Sequence, residues 1–492
     1  MTTDYTPRTY QQDGIELLER EPCVGLFMEP GSGKTITAMT GVKPPYLVVA
    51  PKMVAQEVWV REAAKWSHTQ HLKVVLFDAV FFDYTQRITS AAIWGTQARE
   101  IVRPGTDKDQ DFLMCAEVVI DRYELIPSVK AADILAVKAD IFVVSRDHLY
   151  VLAKILGERW PWRTVLVDEA TMAKNHESKR SQTLWYLRRH KLVTRLVLMT
   201  GTPSPKNLEN LWALVRLLDL GKRLGEHLGA FRKQYMDEGQ RIGKRVVSWK
   251  DKPGAREKVT AKIADICLAV RADVWRETEA PKTVQRLVEI PMEDYRQMES
   301  EMYLQLGDGE ITAPQAAVLT NKLLQMASGA VLDAEKKWHL VHDAKLDALE
   351  ELIEELDGEP LLVMYWFKST LARLKARFPG MATTKTKGFL DQFAAGKLPL
   401  LAIQPGSAGH GLDGLQEGGH HIAVVDMFHD WELYQQTVSR LDRSGQHKRV
   451  TVHQILAAGT KDEEVAPVLA DRGANQALVL EALKFRPAKK AH

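Results

Sequence analysis

Val24-Gly25-Leu26-Phe27-Met28-Glu29-Pro30-Gly31-Ser32-Gly33-Lys34-Thr35 is the stretch on which the fold turns. Five strand-type residues run into a glycine-rich turn, and the run from Thr35 to Thr40 is compatible with a helix. Strand, tight turn and helix in this order form the unit that repeats in parallel sheets covered on both faces. Moving outward, short β-type runs recur at Tyr46–Ala50, Val74–Phe77, Ile141–Ser145, Thr164–Val167 and Arg195–Met199, with a helical pattern such as Ala55–Lys65 between them. The alternation returns late, at Leu361–Trp366, Leu400–Ile403, His421–Asp426 and Val450–Ile455. The predicted fold class is therefore α/β, with two parallel-sheet lobes. Residues 1–219 form the first, with an irregular insertion at about 83–140. Residues 344–460 form the second, and 461–492 are a helical extension with a basic tail.

Residues 220–343 separate the lobes and read as mainly helical and charged. Within Gly221–Lys262 twelve Lys and Arg stand against five acids, a local excess of seven positive charges. Such a segment suits contact with a nucleic-acid backbone, with Arg241, Lys244 and Arg245 as candidates, or it is a solvated helical face. Phe231, Tyr235 and Trp249 lie among the charges and would either stack on bases or pack onto the lobes.

The bulk numbers exclude several classes. The chain has 492 residues, 45% hydrophobic and 26% charged, a globular composition long enough for several cores. No apolar run approaches the ~18 residues of a membrane span, and the first residues lack a secretion signal. Cys23, Cys115 and Cys267 are scattered, which argues for a reducing compartment and against a zinc or iron–sulfur site. A net charge of +2 is uninformative by itself.

The chemistry is concentrated in two places. In the Gly31-Ser32-Gly33-Lys34-Thr35 turn, backbone N–H groups can curl around a phosphate at a helix N-terminus. Lys34 would reach the outer phosphate oxygens and the Thr35 hydroxyl would hold Mg²⁺. The full G-x-x-x-x-G-K-[ST] pattern is broken at its first glycine, where Met28 stands. The second place is Asp168-Glu169, at the end of the apolar run Thr164–Val167. Asp168 would bind Mg²⁺ and Glu169 would orient the attacking water.

Taken in order, further blocks resemble the superfamily-two helicase-like ATPases, and among them the Swi/Snf-type DNA translocases in their compact, bacteriophage-like form. Arg8-Thr9-Tyr10-Gln11-Gln12 is similar to that family's adenine-recognising motif, and Val49-Ala50-Pro51-Lys52 with Val58-Trp59 and Glu62 to a strand-tracking motif. Ser145-Arg146 resembles the next backbone-contacting block. Asp168-Glu169-Ala170-Thr171-Met172-Ala173-Lys174-Asn175 matches the D-E-A-H-x-x-K-N form except that Thr171 replaces His. Thr200-Gly201-Thr202-Pro203 is similar to the motif that couples hydrolysis to movement. Ser407-Ala408-Gly409-His410-Gly411-Leu412-Asp413 resembles the block that touches backbone and ribose, with Asp413 where Asn is usual. Gln436-Thr437-Val438-Ser439-Arg440-Leu441-Asp442-Arg443 is similar to the arginine-finger motif, with two arginines three apart on one helix face.

The resemblance implies RecA-like lobes, ATP and Mg²⁺ as cofactors, and a DNA-dependent ATPase moving along duplex DNA through sequence-independent backbone contacts. It also implies a cytoplasmic setting in a bacterial or phage-infected cell, with replication, recombination or nuclease proteins as partners. Two other functions stay open: a strand-separating helicase for forked DNA or RNA, and a motor subunit or scaffold of a nuclease complex. Gly31, Ser32, Gly411 and Asp413 join Arg8, Tyr10 and Gln11 as expected nucleotide contacts. Pro51, Lys52, Ser145, Arg146, Ser407 and Gly409 join the basic segment as expected nucleic-acid contacts.

Overall fold

A computed structural model describes residues 3–52, 54–77, 82, 84–93, 118–127, 129–203, 208–239, 241–242, 245–246, 248–306, 309–313, 315–408 and 414–482. The first sheet contains β1 (Cys23–Met28), β2 (Tyr46–Ala50), β3 (Val74–Phe77), β4 (Ile141–Ser145), β5 (Thr164–Asp168), β6 (Arg195–Met199) and β7 (Cys267–Val270). Their spatial order is β7-β1-β6-β5-β2-β4-β3, and every pairing is parallel. The second sheet contains β8 (Lys282–Val288), β9 (Leu361–Met364), β10 (Ala382–Thr383), β11 (Leu400–Ile403), β12 (His421–Val424) and β13 (Thr451–Ala457). Its order is β8-β13-β12-β9-β11-β10, again parallel throughout.

Covering on both faces explains why the strands read as unbroken apolar runs. Side chains alternate across a strand, so Val24, Leu26 and Met28 enter one core while Cys23 and Phe27 enter the other. In the second sheet Leu362 and Met364 face one core, and Leu361 and Val363 the opposite one.

The chain between the lobes does more than join them. It supplies an edge strand to each sheet, β7 to the first and β8 to the second. Its other elements are helices such as Leu228–Tyr235, Ala255–Ile263 and Ala316–Ala327, interleaved with short antiparallel pairs. Phe231 and Tyr235 are buried in the first lobe's core, with Trp249 packed against it. Part of the basic excess is neutralised locally, because Arg223 pairs with Asp219 and Asp265, Arg232 with Glu209, Arg241 with Glu238 and Arg256 with Asp251. Between β3 and β4 the chain forms an antiparallel hairpin, Tyr84–Ile93 with Val118–Pro127.

The expected helix Ala55–Lys65 is divided: Val54–Val58 is wound as a π-helix and only Trp59–Lys65 (α3) is α-helical. The helices α1 (Thr9–Arg20) and α2 (Lys34–Gly41) pack together against the first sheet. After β13 a long helix, Lys461–Ala482, returns to touch β7 of the first lobe. Among the described residues no helix is long and apolar enough to cross a membrane.

Candidate nucleotide cleft between the lobes

The reactive segments all follow C-terminal strand ends. The glycine-rich turn follows β1, Asp168 ends β5, and Thr200 follows β6. A parallel sheet places these ends on one edge, the usual position for a ligand crevice. The turn and Asp168, with Glu169 after it, line a cleft of about 800 Å³, into which the second lobe contributes Gln416, Gln436, Ser439, Arg440 and Arg443, while Thr200 is buried.

The turn is held open by its backbone. Gly31 and Gly33 have φ of 86° and 81°, which residues with a Cβ rarely adopt. A side chain at Gly31 would also meet the Cβ of Arg443 at 2.9 Å, so the second lobe already presses on the loop. Gly33 caps α2, and the first turn of that helix faces the cleft. Glu29 ties the turn to the chain after β7 by accepting the Ala272 N–H at 2.5 Å.

Lys34 donates from Nζ to the Met28 carbonyl at 2.7 Å. Burial lowers the pKa of this ammonium, and the charges of Glu169 and Asp168 oppose the shift. Asp168 accepts a hydrogen bond from Trp59 Nε1 at 3.0 Å. Burial raises its carboxyl to about 6, with Lys34 pulling it down and Glu169 pushing it up. Glu169 has φ of 56°, a strained value for a residue with a side chain, and strain of this kind gathers at functional positions. Its Oε1 accepts from Thr200 Oγ1 at 2.8 Å, and that hydroxyl also accepts the Thr202 N–H at 3.0 Å. Gly201 between them lets Pro30 approach, since a Cβ there would lie 2.7 Å from Pro30 Cδ. Thr200-Gly201-Thr202 thus joins the carboxylate pair to the phosphate loop. Thr35 also lines the cleft.

The adenine-side candidates are engaged with the loop itself. Tyr10 Oη and Gln11 Nε2 both donate to the Ser32 carbonyl, at 3.1 and 3.0 Å. Gln11 Oε1 accepts the Arg8 N–H at 2.9 Å, so both polar atoms of this amide have partners. Arg8 reaches across to the second lobe, donating to Ser444 Oγ at 2.8 Å, and it also donates to the carbonyl of Trp275, which packs in the first lobe's core, at 3.1 Å.

Arg440 and Arg443 do not lie on a helix: α-helical structure ends at Val438, and both follow in turns. The stop brings a new partner. Asp442, between the two arginines, accepts a two-pronged pair from Arg276 at 2.8 and 2.6 Å. Orphaning one partner of such a shielded pair costs about 3–5 kcal/mol, so the finger loop is firmly anchored to the interlobe crossover. A second interlobe contact pairs Lys174 with Glu432. Sequence reading singled out neither Arg276 nor Asp442 for this role, because no local pattern marks a pair 166 positions apart.

Pro51 and Lys52 follow β2, and Ser145 and Arg146 sit at the end of β4, its parallel neighbour, with Ala50 opposite Ser145. The Arg146 N–H bonds the Ala50 carbonyl at 2.8 Å, so these two blocks form one edge of the first lobe. Ser407 stands in the helical turn Pro405–Ala408 after β11, at the same edge of the second sheet. Arg241 and Arg245 lie on paired two-residue strands apart from this edge. Lys244, Gly409, Gly411 and Asp413 fall outside the described residues.

The Asp168 geometry predicts a trade of stability for activity. Its folded pKa of about 6 lies above the ordinary 3.8, so this group favours the fold at low pH and opposes it once pH rises through about 6. Asp168→Asn should abolish hydrolysis yet raise stability at neutral pH by about 1–2 kcal/mol, discounted for solvent in the cleft. Thermal melts across pH check this: the gain should shrink as pH falls below 6, and a destabilised variant at neutral pH would refute it.

A family model for the SNF2-related domain matches residues 10–346. The chain is 32% identical to putative protein p41 of Acyrthosiphon pisum secondary endosymbiont phage 1, over 98% of this chain and 99% of that protein. It is 29% identical to the probable ATP-dependent DNA helicase CHR12 of Arabidopsis thaliana over 43% of this chain, and 22% identical to the CHD3-type chromatin-remodeling factor PICKLE of the same plant over 98%. These matches span only 16% and 35% of the two plant proteins. A solved structure, the Sulfolobus solfataricus SWI2/SNF2 ATPase core in complex with dsDNA, aligns over 97% of this chain and 94% of that one, with a TM-score of 0.39 and 17% identity. The chain belongs to the SNF2-related family and is a helicase-like ATPase.

Proposed function

We propose that the protein hydrolyses ATP between its lobes and uses the cycle to move along duplex DNA, in phage or bacterial replication, recombination or repair. The observation that carries this reading is one cleft shared by two lobes, with Lys34, Asp168 and Glu169 on one wall and Arg440 and Arg443 on the other. ATP is the substrate that suits such a cleft: Lys34, the first turn of α2 and the two arginines would neutralise its phosphates. Thr35 and Asp168 offer the hard oxygen donors that Mg²⁺ prefers. Mg²⁺ held there would offset negative charge on the phosphates. Glu169, fixed by Thr200, would position the water and take its proton.

The Thr200–Glu169 bond and the contacts of Arg8, Arg276 and Lys174 with the second lobe connect the state of the cleft to lobe closure. If both sheet edges grip DNA phosphates, opening and closing becomes stepping. Such grips need no base contacts, so binding should be sequence-tolerant and weaken steeply with salt.

Duplex DNA should therefore raise the ATP hydrolysis rate several-fold or more. A rate indifferent to nucleic acid would leave an ATPase without a motor. Displacement of a third strand from a duplex, without unwinding of a forked duplex, is the expected companion result. The opposite pattern would favour a strand-separating helicase.

A further inference from the structure

At the opposite, N-terminal edge of the second sheet, two histidines and a carboxylate converge. His421 opens β12, His420 precedes it, and Glu359 lies two residues ahead of β9. Glu359 Oε2 is 3.2 Å from His420 Nε2 and 3.2 Å from His421 Nε2. One ligand atom from each of the three residues lies within 4.8 Å of the others. We propose that Glu359, His420 and His421 form a binding site for a divalent transition metal, best suited to Zn²⁺.

The distances are those of a metal cage. With metal–nitrogen and metal–oxygen bonds of about 2.0–2.1 Å, the edge of a tetrahedron is about 3.3 Å, and two edges of this site measure 3.2 Å. Two imidazoles and one carboxylate are a common zinc donor set, leaving the fourth position for water. The surroundings also fit. The far nitrogen of His421, Nδ1, is 3.1 Å from Nε2 of the buried His453, which would fix the ring's tautomer and orientation. The other carboxylate oxygen of Glu359 accepts from Lys448 Nζ at 3.4 Å, which leaves Oε2 to the histidines. None of this involves cysteine, which is why cysteine spacing gave no sign of it.

The site sits at the root of the finger loop. Gly419, beside His420, accepts a hydrogen bond from Gln446 Nε2 at 2.9 Å, and the same amide donates to the Gln416 carbonyl at 3.0 Å. Gln446 comes three residues after Arg443. A metal at the histidines would therefore brace the base on which Arg440 and Arg443 stand. It would be a structural ion, separate from the Mg²⁺ expected in the cleft.

The test is Zn²⁺ titration of the full-length, metal-stripped protein without nucleotide, by calorimetry and by metal content after dialysis. One Zn²⁺ per chain should remain bound, the thermal midpoint should rise with Zn²⁺, and Co²⁺ in its place should give visible absorption of a tetrahedral site. Glu359→Gln and His420→Asn should each weaken binding by about 100-fold or more, and His453→Phe by about 10- to 100-fold. Should His420→Asn fail to fold, Glu359→Gln decides, because that side chain is 42% exposed and its loss is tolerable to the fold. Titrations that coincide for wild type and Glu359→Gln, or no Zn²⁺ retained after dialysis, would overturn the proposal and leave hydrogen bonds between imidazole N–H groups and the carboxylate.

Discussion

Lys34→Ala should lower ATP turnover on the order of 10³-fold while the protein remains folded. The ammonium stands in a desolvated corner whose other occupants are Asp168 and Glu169, and it donates to the loop carbonyl of Met28. Its position at the start of α2, on the cleft wall, puts it where phosphate oxygens would enter. Removing it also leaves two carboxylates facing each other uncompensated, so the melting temperature should fall modestly without loss of cooperativity. Steady-state hydrolysis with saturating Mg²⁺, alongside a thermal melt, separates the effects. Turnover near the wild-type rate in a folded variant would sink the assignment of this cleft as the hydrolytic site.

Arg440→Ala should cost about 10³- to 10⁵-fold in kcat, with a smaller change in KM, because a finger that meets charge developing on the transferred phosphate acts mainly in the transition state. Arg443→Ala should behave differently. Its backbone and Cβ pack against Gly31, so this residue also shapes the glycine-rich turn, and KM should rise together with the loss of kcat. Lys at position 440 should rescue little, since an ammonium lacks the planar fork. Kinetics showing an effect on KM alone for Arg440→Ala would remove it from the chemistry and make it a binding residue.

The strands were the most legible part of the chain. β2, β3, β4, β6 and β11 begin and end where expected, because strands covered on both faces are mostly apolar and stand out as short runs. The two edge strands β7 and β8 were not read from the intervening segment. Lys282–Val288 alternates exposed and half-buried residues, and its place was set by pairing with β13, far along the chain. The finger motif was legible as residue types but not as conformation. Its helix stops at Val438, and Asp442 turns back to Arg276. Gln11 likewise was legible as a residue type, while its two partners, Arg8 and Ser32, emerged only when α1 met the loop.

By itself the sequence determined the chemical inventory and its order: glycines at a strand-to-helix turn, a lysine and hydroxyl after them, carboxylates closing an apolar strand, and paired arginines late in the chain. Local steric preference and side-chain periodicity write such features over a dozen residues, so they survive reading in one dimension. Only the tertiary structure decided which of them meet. Sheet order, the bond from Thr200 to Glu169, the clasp of Arg276 on Asp442 and the gathering of Glu359 with His420 and His421 depend on register between distant segments. Register follows from packing two cores at once, and no single stretch of chain contains that information.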